Sequence, residues 1–251
     1  MQLIPNLKSI EPGMYLVDKP SGPSSHDIVN FFRRKSGLKK VGHAGTLDPL
    51  ASGLLIILVG KAFTKQQSLY LKQDKEYLVT IKFGQSTDSY DQWGQITQET
   101  AWQELEVLNR QAVLQALASF RGQINQTVPI FSAVKIKGEK LYQKARRGEK
   151  VKLPSRSVKI NHLLLKKFKK DKVKKNITAD LLINCSSGTY VRYLAHDLGQ
   201  QLKVGAHVIA LRREKIGTLE VKKSLKMEWD NRPYERHQSL PAANSGKKLV
   251  Q

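Results

Sequence analysis

Residues 54–59, Leu-Leu-Ile-Ile-Leu-Val, form an unbroken apolar run between Gly53 and Gly60, and no other stretch restricts the fold as tightly. A run this short reads as a fully buried strand. The segment before it, Val-Gly-His-Ala-Gly-Thr-Leu-Asp-Pro-Leu-Ala-Ser (41–52), has little helical or strand periodicity and carries Gly42, Gly45, one histidine and one carboxylate, Asp48. Glycines admit backbone angles and close approaches closed to other residues. A polar, glycine-spaced loop hung on a buried strand is a common way to present reactive groups. Pro49 fixes the backbone beside Asp48 and removes a donor.

The remaining elements follow in chain order. Residues 15–18 read as a short strand, followed by the breaker-rich Lys-Pro-Ser-Gly-Pro at 19–23. Ser24 or Ser25 caps a helix with Ile28, Val29 and Phe32 on one face, ending near Gly37. A helix is expected over 62–71 and a half-buried strand over 76–83, where Tyr77, Val79, Ile81 and Phe83 alternate with polar neighbours. Residues 84–95 read as a polar loop. Asn109 caps a helix to Phe120, with Val113, Leu114 and Leu117 inward. Residues 129–137 look extended and 139–147 helical. The spans 158–168 and 176–185 form a hairpin whose lysine-rich tip, 169–175, repels itself and is expected to be mobile. A helix follows over 191–202, then separate apolar-polar segments at 206–213 and 216–221. From 227 onward the composition predicts a polar, disordered tail. Strands and helices that mix without strict alternation indicate an α+β fold, a mostly antiparallel mixed sheet flanked by helices. No linker divides 12–222, so one domain is expected.

Charge narrows the partners. Residues 1–120 hold 13 basic and 11 acidic side chains, whereas 121–251 hold 30 and 10, and 135–175 alone holds 17 and 3. A net charge of +22 placed so unevenly points to a polyanion, nucleic acid first and anionic membrane second. No apolar run approaches the roughly 20 residues that span a bilayer, and the N-terminus lacks the layout of a secretory signal. The single cysteine, Cys185, cannot pair internally, which fits a reducing cytosol and a cytoplasmic protein.

The candidate chemistry is then limited. His26, His43, His162, His196, His207 and His237 show no metal-ligand spacing. A carboxylate magnesium site from Asp48, Asp88 and Asp91 is conceivable. No phosphate-binding glycine loop carries its lysine, and Cys185 has no adjacent histidine to activate it. A lone aspartate can act as a covalent nucleophile when a cation keeps it ionised and oriented. Arg192, in Gly-Thr-Tyr-Val-Arg, is the best partner, because a cation at a helix start is not explained by the helix dipole. A surface ion pair explains Arg192 equally well. For Asp48, an Asp-Pro turn is the commoner fate of such a dipeptide.

Seven blocks resemble the bacterial TruB-type tRNA pseudouridine synthases, in that family's order. They are Tyr-Leu-Val-Asp-Lys-Pro-Ser-Gly (15–22), Val-Gly-His-Ala-Gly-Thr-Leu-Asp-Pro-Leu-Ala-Ser-Gly-Leu-Leu (41–55), Lys-Glu-Tyr (75–77), Gly-Gln-Ser-Thr-Asp-Ser-Tyr-Asp (84–91), Pro-Ile-Phe-Ser-Ala-Val-Lys (129–135), Ser-Gly-Thr-Tyr-Val-Arg (187–192) and Gly-Ala-His-Val-Ile-Ala-Leu-Arg-Arg (205–213). The 41–55 block is highly specific; the others are weak alone. The resemblance implies the pseudouridine synthase catalytic fold and isomerisation of uridine 55 in the tRNA T-loop, with no cofactor and no metal. It implies that Asp48 is the catalytic aspartate, that Tyr77 packs on the target base and serves as an acid/base group, and that Arg192 pairs with Asp48. Tyr190 and Leu211 would line the pocket, Lys19 would support its base, and His43 would fill the space left by the flipped base. Base flipping fits the chemistry, since an enzyme reaches a stacked base only by removing it, and RNA loops are read by shape and stacking.

The same resemblance makes 1–226 the catalytic domain, with 135–175 a basic insertion that clasps the T-arm. The family's usual small C-terminal RNA-binding domain is replaced by about 30 polar residues. A monomer with no obligatory protein partner is expected. A noncatalytic RNA-binding protein on the same fold and a guide-RNA-dependent synthase are the alternatives.

Overall fold

The computed structural model describes residues 9–129, 134–136, 138–147, 149, 151 and 153–229. The first half holds β1 (Gly13–Lys19), α1 (Ser25–Ser36), β2 (Val41–Ala44), β3 (Ser52–Val59), α2 (Lys61–Thr64), α3 (Gln67–Leu71), β4 (Lys75–Phe83), β5 (Gln85–Thr87), β6 (Ile96–Glu99), α4 (Trp102–Leu105) and α5 (Arg110–Ala118). The second holds β7 (Gly122–Thr127), β8 (Lys135–Ile136), β9 (Glu139–Lys140), α6 (Leu141–Arg146), β10 (Ser155–Asp171), β11 (Asn176–Cys185), α7 (Val191–Gln201), β12 (Ala206–Ile216), β13 (Leu219–Glu220) and β14 (Leu225–Lys226).

The central sheet runs β14-β1-β3-β12-β4-β11-β10-β7, with β2 on β3 and β13 on β12. Among the described residues, its β1/β14 and β12/β3 ladders are parallel and its other ladders antiparallel. The α+β expectation therefore holds. Alternation along β3 explains the apolar run. Leu55, Ile57 and Val59 enter a large core with α1, while Leu54, Ile56 and Leu58 enter a smaller one with Ala44, Ile216 and Val221. A strand covered on both faces has no polar positions to offer. Burying each of these side chains contributes roughly 1.5–3 kcal/mol.

Helix α1 starts and stops where its sequence directs. Ser24 accepts the Asp27 N–H, Asp27 caps back onto Ser24 N–H, and Gly37 closes the helix at φ +68°. Helices α5 and α7 pack on each other and on the β10, β4, β7 and β12 region. Val113, Leu117, Leu194 and Leu198 are fully buried there, while Leu114 and Leu202 are only half-buried.

Several expectations need correction. The helix expected over 62–71 is two short pieces, α2 and α3; neither has a capping side chain or a buried residue to hold a longer run together. Part of the expected loop 84–95 is strand β5, which is paired with β6 and too short to show periodicity. Segments 206–213 and 216–221 do not stand apart. Residues 206–216 are one strand, β12, whose irregularities at Val208/Ala210 and Arg213/Lys215 break the alternation. Strand β10 extends to Asp171, so only 172–175 turn at the lysine-rich tip. Met227 is buried and Trp229 packs on the core, so the chain stays anchored beyond 226. The rest of the predicted tail, and part of 129–137, lies outside the described residues. Among the described residues no helix is long and apolar enough to cross a membrane.

Candidate active site

The loop between β2 and β3 is shaped by groups that bind its backbone. Lys19, fully buried, donates its ammonium protons to the carbonyls of Pro20 and Pro23 at 2.8 Å and of Pro49 at 3.5 Å. Arg213, also buried, donates Nε to Leu54 O at 2.7 Å and Nη2 to Gly45 O at 2.9 Å. Ser25 Oγ donates to Leu47 O and accepts Leu47 N–H, both at 2.8 Å, and Gly22 N–H reaches Pro49 O at 2.9 Å. Gly53 sits at φ +100°, where a Cβ would come within 2.3 Å of Arg213 O, so only glycine lets β3 approach β12 this closely. Burial pushes the Lys19 ammonium down to about 8, against the opposing pull of the Asp48 charge.

What this frame leaves outward is the Asp48 side chain, 39% exposed. Its Oδ2 lies 2.8 Å from Arg192 Nε. The same guanidinium uses Nη1 to reach Asp91 Oδ2 at 3.2 Å and Ser89 O at 2.6 Å. Arg192 and Asp91 are both buried. The Ser89–Asp91 turn is tied to β12 by Val208 N–H to Tyr90 O at 3.0 Å and Gln92 N–H to Val208 O at 2.9 Å. Arg192 is the second residue of α7, whose N-cap is Tyr190. Fully buried Gln126, on β7, accepts Tyr190 N–H at 3.0 Å and donates to Tyr190 O at 3.3 Å. The Arg156 guanidinium lies 5.8 Å from the centre of the Tyr190 ring, within cation–π reach.

Asp48, Tyr77, Tyr190, Arg192 and Leu211 line one cleft of about 930 Å³. Tyr77 on β4 stands across the ladder from Arg213 on β12, with Leu211 two residues away on the same face. Burial pushes the Tyr77 phenol up, and the Arg213 charge and hydrogen bond pull it back. Lys19 is not in the cleft wall but lies beneath the Asp48 loop. His43, half-buried on β2, also lies outside the wall; its Nδ1 is buried without a hydrogen-bond partner, and its carbonyl accepts Gln67 Nε2 at 2.7 Å. Burial, then the charges of Arg213 and His26, lower its pKa.

Sequence reasoning misses four groups. Asp91 enters it only as a metal ligand. Arg213 shares strand parity with Leu211, a signal that could have found it. Gln126 and Trp93 carry no sequence mark. Among the described residues no group of three or more His, Cys, Asp or Glu side chains could hold a metal ion. Asp88 accepts the Gln95 N–H at 2.9 Å instead, and Arg192 bridges Asp48 and Asp91.

The model of the TruB family pseudouridylate synthase N-terminal domain matches residues 33–191. The chain belongs to this family. A second TruB model, the tRNA pseudouridylate synthase B C-terminal domain, matches residues 192–230. That span includes β12, which lies between β3 and β4 in the central sheet. Among TruB relatives, tRNA pseudouridine synthase B of Mycobacterium bovis is 42% identical over 211 residues, 84% of this chain and 68% of the relative. The protein of the same name from Opitutus terrae is 43% identical over 201 residues, 80% of this chain and 79% of the relative. A solved Cbf5-Nop10-Gar1 complex contains a chain of the same fold, 26% identical with a TM-score of 0.63 over 86% of this chain. This TruB-family chain spans 52% of that solved one.

Proposed function

We propose that the protein isomerises uridine 55, in the T-loop of tRNA, to pseudouridine, with Asp48 as the catalytic group and no cofactor. The observation that carries this is the Asp48 carboxylate, fixed 2.8 Å from Arg192 at the wall of a cleft that also contains Tyr77. Membership of the TruB family and relatives named tRNA pseudouridine synthase B support tRNA as the substrate.

The reaction exchanges one glycosidic bond for another. The C1′–N1 bond of the target breaks, uracil turns, and C5 bonds to C1′. C5 then loses its proton and N1 gains one. The target leaves its stack to enter the cleft, and the Tyr77 ring takes one face of the base. Asp48, oriented by the guanidinium 2.8 Å away, either attacks the sugar or base or assists base detachment. Tyr77, whose raised pKa keeps it protonated, balances the last step by giving its proton to N1 and taking the C5 proton in return. Leu211 and Tyr190 close the walls, Lys19 stiffens the floor, and His43 fills the space that the flipped base leaves in the RNA.

In this reading residues 1–226 are the catalytic domain, 135–175 clasp the T-arm, and the protein works as a cytoplasmic monomer without an obligatory protein partner. The test incubates unmodified tRNA with the protein in EDTA and maps pseudouridine by chemical adduct. Product at the T-loop position with wild type and none with Asp48→Asn is expected. Equal product from both would remove Asp48 from the reaction, and shortened RNA would indicate a nuclease.

A further inference from the structure

The cleft of about 930 Å³ lies near the upper end of the roughly 300–1,000 Å³ typical of small-ligand sites. One pyrimidine fills only part of it. The cleft wall also includes Trp93, 45% exposed, and Leu71, 40% exposed. The other tryptophans, Trp102 and Trp229, are partly buried and pack on the core. A large ring that keeps nearly half of its surface accessible inside a functional cleft marks a contact surface rather than surplus core.

Trp93 is also placed with care. Its backbone N–H donates to Asp91 Oδ1 at 3.0 Å, while Asp91 Oδ2 holds Arg192 at 3.2 Å. One carboxylate therefore registers the tryptophan against the partner of Asp48. Gly94 completes the turn, where a Cβ would come within 2.4 Å of Asp88 Oδ1 and Ser89 Oγ. The indole is carried on a fixed turn, so ordering it on binding costs little conformational entropy.

We propose that Trp93 is a stacking platform for a second unstacked RNA base, one that flanks the target uridine and lodges in the same cleft. The proposal rests on the reading of this cleft as an RNA isomerisation site. Flipping the target strips a stacking partner from its neighbour. A protein aromatic that takes that neighbour's face offsets the loss and accepts any base, because every base has a π-face. Trp93 touches no reacting atom in this arrangement, so it acts on binding and not on the chemical step.

The test compares wild type, Trp93→Ala and Trp93→Phe on an unmodified T-arm stem–loop RNA. Trp93→Ala is expected to raise KM about tenfold, the scale of one lost base stack, with kcat within about twofold of wild type. Trp93→Phe restores most of the loss. An abasic nucleotide is then placed at each loop position beside the target. At one position it costs wild type about tenfold in affinity and costs Trp93→Ala nothing more, as coupled partners require. Tryptophan fluorescence falls on RNA binding in wild type and not in Trp93→Phe. An unchanged KM in Trp93→Ala, or an abasic penalty of equal size in both proteins, overturns the proposal. If wild type makes no pseudouridine, the activity reading fails on its own; the affinity cycle and the fluorescence change still decide whether Trp93 stacks on RNA.

Discussion

Arg192 holds Asp48 and Asp91 with one guanidinium, Nε 2.8 Å from the first carboxylate and Nη1 3.2 Å from the second. The two ends differ in exposure: Asp91 is buried, whereas Asp48 is open to the cleft. Asp91 thus fixes the cation, and the cation fixes the carboxylate that opens to the cleft. Asp91→Asn keeps the shape but removes the charge that opposes Arg192. Single-turnover rates on tRNA should fall ten- to a hundredfold, with KM changed far less. Asp91→Ala should also lower stability by about 3 kcal/mol, because a buried cation loses a partner. A single-turnover rate equal to wild type in both variants would show that Asp91 does not position Arg192.

Gln126 ties β7 to the residue just before α7. Truncation to alanine leaves both the N–H and the carbonyl of Tyr190 without that partner, at a cost of about 1–3 kcal/mol. Urea denaturation should show the loss. The rate should drop more than Tm alone predicts, since Tyr190 and Arg192 shift with the helix start. Stability at the wild-type level would argue that water replaces the amide.

Lys19 gives a pH signature of definite sign. Its folded pKa is about 8, below the ordinary 10.5, so between pH 8 and 10.5 the unfolded chain binds the extra proton. Stability from this group therefore rises with pH across that window, and its burial penalty is fully present below pH 8. The stability of wild type minus that of Lys19→Met, measured in urea from pH 7 to 10, should climb. A flat difference would mean that Lys19 titrates normally.

Burial pushes the Cys185 thiol up to about 11. At pH 8 it should resist alkylation until the protein unfolds. Labelling at the rate of an exposed thiol would show that the β11 end of the sheet opens locally.

The lysines near the hairpin tip lie at the end of β11 that pairs with Phe83, far along the strands from the Tyr77 end. Replacing Lys169, Lys172, Lys174 and Lys175 by glutamine should reduce the salt dependence of tRNA binding, by up to nearly one unit of slope for each phosphate no longer neutralised. Catalysis at saturating RNA should persist. An unaltered slope would remove the tip from the RNA interface.

Strand β3 and helix α1 are legible in the chain because local signals decide them: a six-residue apolar run, a Ser24–Asp27 cap and Gly37. The pairing of Asp48 with Arg192 can be anticipated from residue type and family resemblance, but their meeting needs the fold. Strand β12 reads as two segments because its bulges reset the alternation. Arg213 escapes notice because a charged residue in a strand is usually taken as solvent-facing, yet it is buried against loop carbonyls. Gln126 acts on backbone atoms of a distant segment, and no local pattern announces such a contact.

The two buried cations under the Asp48 loop, Lys19 and Arg213, grip its main-chain oxygens. The contour of the loop is thereby written outside it, in residues of β1 and β12. Its outward functional group is a replaceable tool in a permanent handle. A redesign that exchanged Asp48 for a different reactive side chain would inherit a ready-made mount, and a laboratory seeking new chemistry on RNA could vary that one position while leaving the mount untouched.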